Sequence, residues 1–230
     1  MFNNILLMVF PYLAVVVAVT VSIYRYKTNK FHFSSLSSEF LENNELFWGS
    51  VPWHYGIITV LLAHLFGIFF PSQFLAFNSV PVRLYILEAT GLMMGVLALV
   101  GIVILMKRRM TNKRLMAVTS RMDRIILFVL LIQVLAGVSI AITYRWGSNW
   151  YATSMAPYLQ SLLKLQPNLG YVTTMPLLVK FHIVNGFFII ILIPFTRFMH
   201  FLILPLNYPF RKWQIVMWNW DPKKIRKTLK

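Results

Sequence analysis

The chain has no cysteine, and only 6 of its 230 residues are Asp or Glu. The first absence excludes disulfides, thiolate-bound zinc, Cys-held iron–sulfur clusters and any cofactor attached through a C-x-x-C-H motif, so a bound redox group has to be held by other side chains. The second leaves 22 Lys and Arg largely uncompensated, with a formal charge of +16. Only 12% of the chain is charged and 58% is apolar, against roughly a quarter charged in soluble domains. That balance is the composition of an integral membrane protein. The basic residues lie between and after the apolar runs rather than across a soluble face, so membrane topology accounts for them and nucleic acid is not an expected partner.

Five apolar runs are long enough to cross about 30 Å of hydrocarbon as helices: Ile5–Tyr24, Val51–Phe70, Ile86–Met106, Ile125–Tyr144 and Pro176–Leu204. The expected fold is an all-α membrane protein, with five transmembrane helices in one domain (1–206) and a basic, Trp-containing tail (207–230). Basic residues follow the first run and none precedes it, the reverse of a secretory signal, so this run is expected to stay as a span. Of the 22 basic residues, 18 fall in the first loop, the third loop and the carboxyl-terminal portion. The positive-inside rule then puts the amino terminus outside and the carboxyl terminus in the cytoplasm. The fourth loop, Arg145 to Met175, is the longest and carries Trp146, Trp150, Tyr151, Tyr158 and Tyr171, a pattern suited to a short surface helix at headgroup level. The tail suits an anchor on anionic lipid or a docking strip for a cytoplasmic partner.

Four of the five histidines sit inside two of these runs: His54 and His64 in the second, His182 and His200 in the fifth. An ionisable side chain in hydrocarbon costs a few kcal/mol and marks a functional site by default. The second and fifth spans run in opposite directions, which sets His64 level with His182 and His54 level with His200. Two imidazoles at one depth suit bis-histidine ligation of a haem. The 18 residues from His182 to His200 make five whole turns, whereas the 10 from His54 to His64 fall about 80° short of three. The two ladders therefore do not match rung for rung, and a bend at Pro194 is expected to absorb part of the difference. A single such histidine would more simply bond a neighbouring helix; four at complementary depths favour ligands. His32 lies in a polar loop and reads as solvated.

The combination of W-H-Y-G with A-H-L-F-G ten residues on, L-M-K-R-R-M after the third span, L-I-Q-V-L-A-G in the fourth, and F-H with I-P-F-T-R-F-M-H in the fifth resembles the gamma subunit of respiratory nitrate reductase. The resemblance runs through about Trp213. It implies two b-type haems, with His64 and His182 holding the outer iron and His54 and His200 the inner one. It further implies that menaquinol or ubiquinol is oxidised near His64 and the outer haem, with protons released outside the bacterial cytoplasmic (inner) membrane. Electrons would leave for a cytoplasmic iron–sulfur beta subunit and a molybdenum-containing alpha subunit, and nitrate itself would not bind here. Two departures accompany it: Ala63 replaces a glycine common before the outer ligand, and Arg83 stands where the family has a lysine implicated in quinol binding. Arg83 suits either that site or a headgroup anchor.

Arg109 and Arg197 are placed to bond haem propionates, and arginines that merely satisfy the inside rule would occupy the same positions. Gln133 suits support of an imidazole or propionate, or a bond to an adjacent helix. Two other functions stand beside the leading one: a similar quinone-linked cytochrome b anchor of another redox complex, and a haem-free transporter or proton path. Glu88 is the one acidic candidate within a span, which argues against a cation transporter.

Overall fold

The computed structural model describes residues 5–28 and 41–198. These are almost wholly helical, and five helices are long and apolar enough to cross a membrane: α1 (Ile5–Thr28), α2 (Asn44–Phe69), α4 (Pro81–Thr111), α6 (Arg121–Thr143) and the run Leu177–Phe195, whose α-helical part is α9 (Leu177–Leu192). Short helices α3 (Pro71–Asn78) and α5 (Lys113–Val118) lie in the connections. The fourth loop, where a short surface helix was expected, holds α7 (Gly147–Trp150) and α8 (Ala156–Leu163), joined by a π turn at Tyr151–Met155, and α8 buries Ala156, Tyr158 and Leu162. We call the end carrying Thr28, Asn44, Thr111 and Arg121 the basic end, and the other the far end.

The spans pack in the order α2, α4, α6, α9, α1. Lipid is as apolar as leucine, so helices in a membrane associate through close packing and not through burial from water. Glycine supplies that closeness between α2 and α4. A Cβ on Gly56 would lie 2.6 Å from the Ala98 nitrogen and the Met94 oxygen, and one on Gly101 would strike the Trp53 backbone. Trp53, Ala98, Ile102, Ile126, Leu130 and Leu192 fill the core beneath this contact. A second core at the far end joins Leu7, Ile140, Met155, Tyr158, Leu162 and Val179, so the α7–α8 strap is anchored to α1, α6 and α9.

Proline shapes three of these elements. Pro11 has no N–H to give the Leu7 carbonyl, and α1 accordingly opens as a π turn over Ile5–Val9 before tightening. The π turn at Tyr151–Met155 precedes Pro157 in the same way. Pro194 ends the last span: α9 stops at Leu192, a 3-10 turn follows over Ile193–Phe195, and Thr196 is extended at φ −124° and ψ 174°. The expectation of a continuous helix to Leu204 is thus corrected, and so is the five-turn phase drawn from it, because the ladder breaks between His182 and His200. The bend expected at Pro194 is there, as a full interruption. The Arg25 guanidinium bonds the Pro194 carbonyl, supplying a donor where the helix has none left.

Candidate functional site

Both described histidines of α2 are held alike. His64 Nδ1 is 2.7 Å from the Val60 carbonyl, and His54 Nδ1 is 2.7 Å from the Ser50 carbonyl. In a helix, side chains lean back over the preceding turn, which brings the ring onto the carbonyl four residues earlier. A carbonyl only accepts, so the bond requires the proton on Nδ1 and leaves the lone pair on Nε2. That is the tautomer of a metal ligand whose other nitrogen is tied down.

His182, on α9, fits against α6. A Cβ on Gly137 would lie 3.1 Å from His182 Cε1, so the glycine leaves space for the ring. His182 Nε2 is 3.3 Å from Gln133 Nε2, and Nδ1 is buried with no hydrogen-bond partner. His64 lies five residues before the end of α2 and His182 five after the start of α9, so both sit about 7 Å from the far end of their helices. The two are level, although α2 and α9 share no extensive backbone packing.

From the strap, Tyr151 packs edge-on to the His64 ring at 5.1 Å and donates from its hydroxyl to the His64 carbonyl at 3.0 Å. Its ring occupies the space that a side chain at Gly67 would need, 2.7 Å from the Cβ position. Burial pushes the Tyr151 phenol above its ordinary range, which keeps it protonated as a donor.

The remaining expected residues are placed as follows. His200 lies outside the described residues, as does the tail, so the His54–His200 pair is not described. Arg109 and Arg197 converge at the basic end, with Arg109 Nη1 at 3.9 Å and Arg197 Nε at 3.2 Å from Asp123 Oδ2. Asp123 is buried and also completes a capping box, accepting from the Ser120 backbone N–H at 3.0 Å. Two guanidiniums thus face one carboxylate. Arg83 is exposed at the far end, its guanidinium 5.8 Å from the Phe77 ring centre. Glu88 accepts from the Ser148 backbone at 2.7 Å, pinning the start of α7.

Three participants went unread in the sequence. Asp123 carried a usable signal, since S-x-x-D before an apolar run is the signature of a capping box. Asn185 sits one turn from His182 and bonds Gln133 Oε1 at 2.8 Å. Glu42 pairs with Arg108 across a long sequence separation that no local pattern reports.

Among the described residues no three His, Asp or Glu side chains converge. Ligands offered two at a time suit a metal that already has a macrocycle's four nitrogens. The paired depth of His64 and His182 and the tied Nδ1 of His64 fit a haem in which both imidazoles bind iron.

The family model described as nitrate reductase gamma subunit matches residues 3–219. The chain is 33% identical over 218 residues to the nitrate reductase gamma chain of Bacillus subtilis, covering 94% of this chain and 98% of that one. It is 30% identical to the respiratory nitrate reductase 2 gamma chain of Escherichia coli, covering 90% and 93%. It is 27% identical to the nitrate reductase-like protein NarX of Mycobacterium tuberculosis, where it spans 32% of a longer chain.

Proposed function

The chain belongs to the nitrate reductase gamma subunit family, and from that premise we propose that it is a di-haem b subunit which oxidises menaquinol or ubiquinol. It sits in the bacterial cytoplasmic membrane with the far end outside and the basic end in the cytoplasm, as the positive-inside rule arranges 18 of its 22 basic residues. Its partners are a cytoplasmic iron–sulfur beta subunit and a molybdenum-containing alpha subunit.

His64 and His182 hold the outer haem iron, and His54 and His200 the inner one. When bound, the haems supply one-electron carriers between a two-electron donor outside and the partners inside. The protein's own work is orientation: backbone carbonyls fix the α2 imidazoles, and Tyr151 closes over His64 from the strap. At the basic end Arg109 and Arg197 bring two guanidiniums together beside Asp123, the chemistry that bonds a haem propionate. Quinol approaches the far end beside His64. Arg83 is the cation at that end assigned to it, and its exposed seat over Phe77 also suits a headgroup anchor.

The level placement of His64 and His182, with His64 Nδ1 already bonded to Val60, carries this reading. Purified protein is expected to show low-spin b-type bands with two haems per chain, and His64→Ala to lose one of them. Retention of both haems in that variant overturns the ligand assignment.

A further inference from the structure

Glu88 lies seven residues into α4 and is half-buried. A carboxyl group at that depth in a membrane is costly and marks a functional site by default. Its level follows from the antiparallel α2–α4 contact, which sets Gly49 against Leu105, Trp53 against Gly101 and Gly56 against Ala98. Each step along α2 is one step back along α4, so His64 stands level with Thr90. Glu88 is two residues, about 3 Å, nearer the far end. The strap makes the same connection: Ser148 bonds Glu88, and Tyr151, three residues on, packs against the His64 ring.

Only one oxygen of Glu88 serves the strap. Ser148 donates to Oε1 from its backbone N–H at 2.7 Å and from its hydroxyl at 2.5 Å, and the hydroxyl in turn accepts from Asn78 Nδ2 at 3.0 Å. Oε2 receives no hydrogen bond and joins no ion pair among the described residues. A proton can therefore come and go on Oε2 while Oε1 goes on accepting both Ser148 donors. The titratable and charged groups on the elements around Glu88 at this end are Arg83 and Tyr85 on α4, His64 on α2, Tyr144 and Arg145 after α6, and Tyr151; α3 and α7 carry none.

We propose that Glu88 is the proton acceptor in quinol oxidation, taking each hydroxyl proton on Oε2 and passing it to water outside while Oε1 keeps the strap in place. The proposal rests on the reading that quinol is oxidised beside His64. Conversion of quinol to quinone breaks two O–H bonds and releases two protons and two electrons. Each proton goes to Oε2 and each electron to the outer iron, ferric becoming ferrous, and the carboxyl gives up the first proton before it takes the second. A positioned general base is worth about 10²–10⁴ in rate. A residue that only tied α4 to the strap would contribute stability and nothing to the proton transfer.

The test uses the full chain in its membrane complex, with Glu88→Gln and Ser148→Ala. Haem content, thermal stability and the rates of haem reduction by menadiol and by dithionite are measured, since dithionite delivers electrons without a hydroxyl proton to remove. The glutamine oxygen can still accept from Ser148 but its amide cannot take a proton. Glu88→Gln is therefore expected to keep two haems, native stability and native reduction by dithionite, and to slow reduction by menadiol about 100-fold or more. Slowing of less than about tenfold leaves Glu88 as a strap tie and overturns the proposal. If Glu88→Gln does not assemble, Ser148→Ala decides alone. It removes one of the two donors on Oε1 and keeps the carboxylate, which then takes up a proton at higher pH. The pH at which menadiol-driven reduction falls on acidification should move up, and an unmoved limb overturns the proposal. If menadiol fails to reduce the haems of the native complex while dithionite succeeds, the quinol reading itself falls, a result that no variant of Glu88 or Ser148 can mimic.

Discussion

Pro11 releases the Leu7 carbonyl from the α1 ladder, and the fully buried Tyr158 hydroxyl donates to it at 2.6 Å. Burial pushes the Tyr158 phenol above its ordinary range, so it remains a donor at any physiological pH. Tyr158→Phe should leave the carbonyl unsatisfied in a buried setting, at a cost of about 1–3 kcal/mol. Thermal unfolding in detergent checks this, and the double variant with Pro11→Ala tests its cause. An alanine N–H at position 11 can bond Leu7 within the helix, so most of the loss should be recovered. Equal loss in single and double variants would refute the account. At this scale the sequence showed the aromatic residues of the fourth loop but not their tasks. Tyr151 and Tyr158 act on carbonyls 87 and 151 residues away, and no local pattern carries such a pairing. The histidines stood out in the sequence for the opposite reason, since a costly group in an apolar run is conspicuous without any partner being known, and the structure describes three of the four, His54, His64 and His182.

The spans themselves were legible because length and apolarity are local properties, and all five helices fall on the expected runs. What failed was the end of the fifth. Its apolar run continues past Pro194, so composition extends the span, while the backbone cannot extend the helix. Glycines pack α2 against α4, and Gly56 and Gly101 have least freedom. At Gly56 the facing atoms are backbone of α4, 2.6 Å from where a Cβ would stand, and backbone cannot move aside as a flexible side chain can. Gly56→Leu should therefore separate α2 from α4 and destabilise the bundle by roughly 3 kcal/mol, the upper range for overpacking. Gly91, with nothing within 4 Å of its Cβ position, is the control on the neighbouring helix. Gly91→Ala should leave the unfolding temperature of the solubilised protein no lower, whereas Gly56→Leu should lower it clearly. Similar behaviour of the two would show that α2–α4 packing does not depend on close approach.

Across the described residues, Glu42, Glu88 and Asp123 act as ties at the two ends of the bundle. Glu88 holds the strap at the far end, and Asp123 gathers Ser120, Arg109 and Arg197 at the basic end. Glu42 joins the segment before α2 to α4, where Arg108 is almost fully buried and donates from Nε to the carboxylate and from Nη2 to the Glu42 carbonyl at 2.6 Å. Burial by itself would raise the Glu42 carboxyl, but the Arg108 bond and the backbone N–H groups of Glu45 and Leu46 outweigh it and hold it below its ordinary 4.5. A carboxyl lowered on folding adds stability that is complete above the unfolded value and is lost as pH falls through the folded one. In a chain of formal charge +16, protonating such a tie also removes a negative charge from beside the buried Arg108, and weakening a buried pair from one side is the costly way to break it. The detergent-solubilised protein should therefore keep a flat unfolding temperature from neutral pH down to about 4.5 and lose stability below it. Glu42→Gln should lower stability at neutral pH by roughly 1–3 kcal/mol, the worth of a hydrogen bond to a charged group. Its further loss on acidification should be smaller than the native protein's, because the Glu42 contribution is already gone. An unchanged acid profile in Glu42→Gln would place the acid-sensitive tie elsewhere, with Asp123 the next to test.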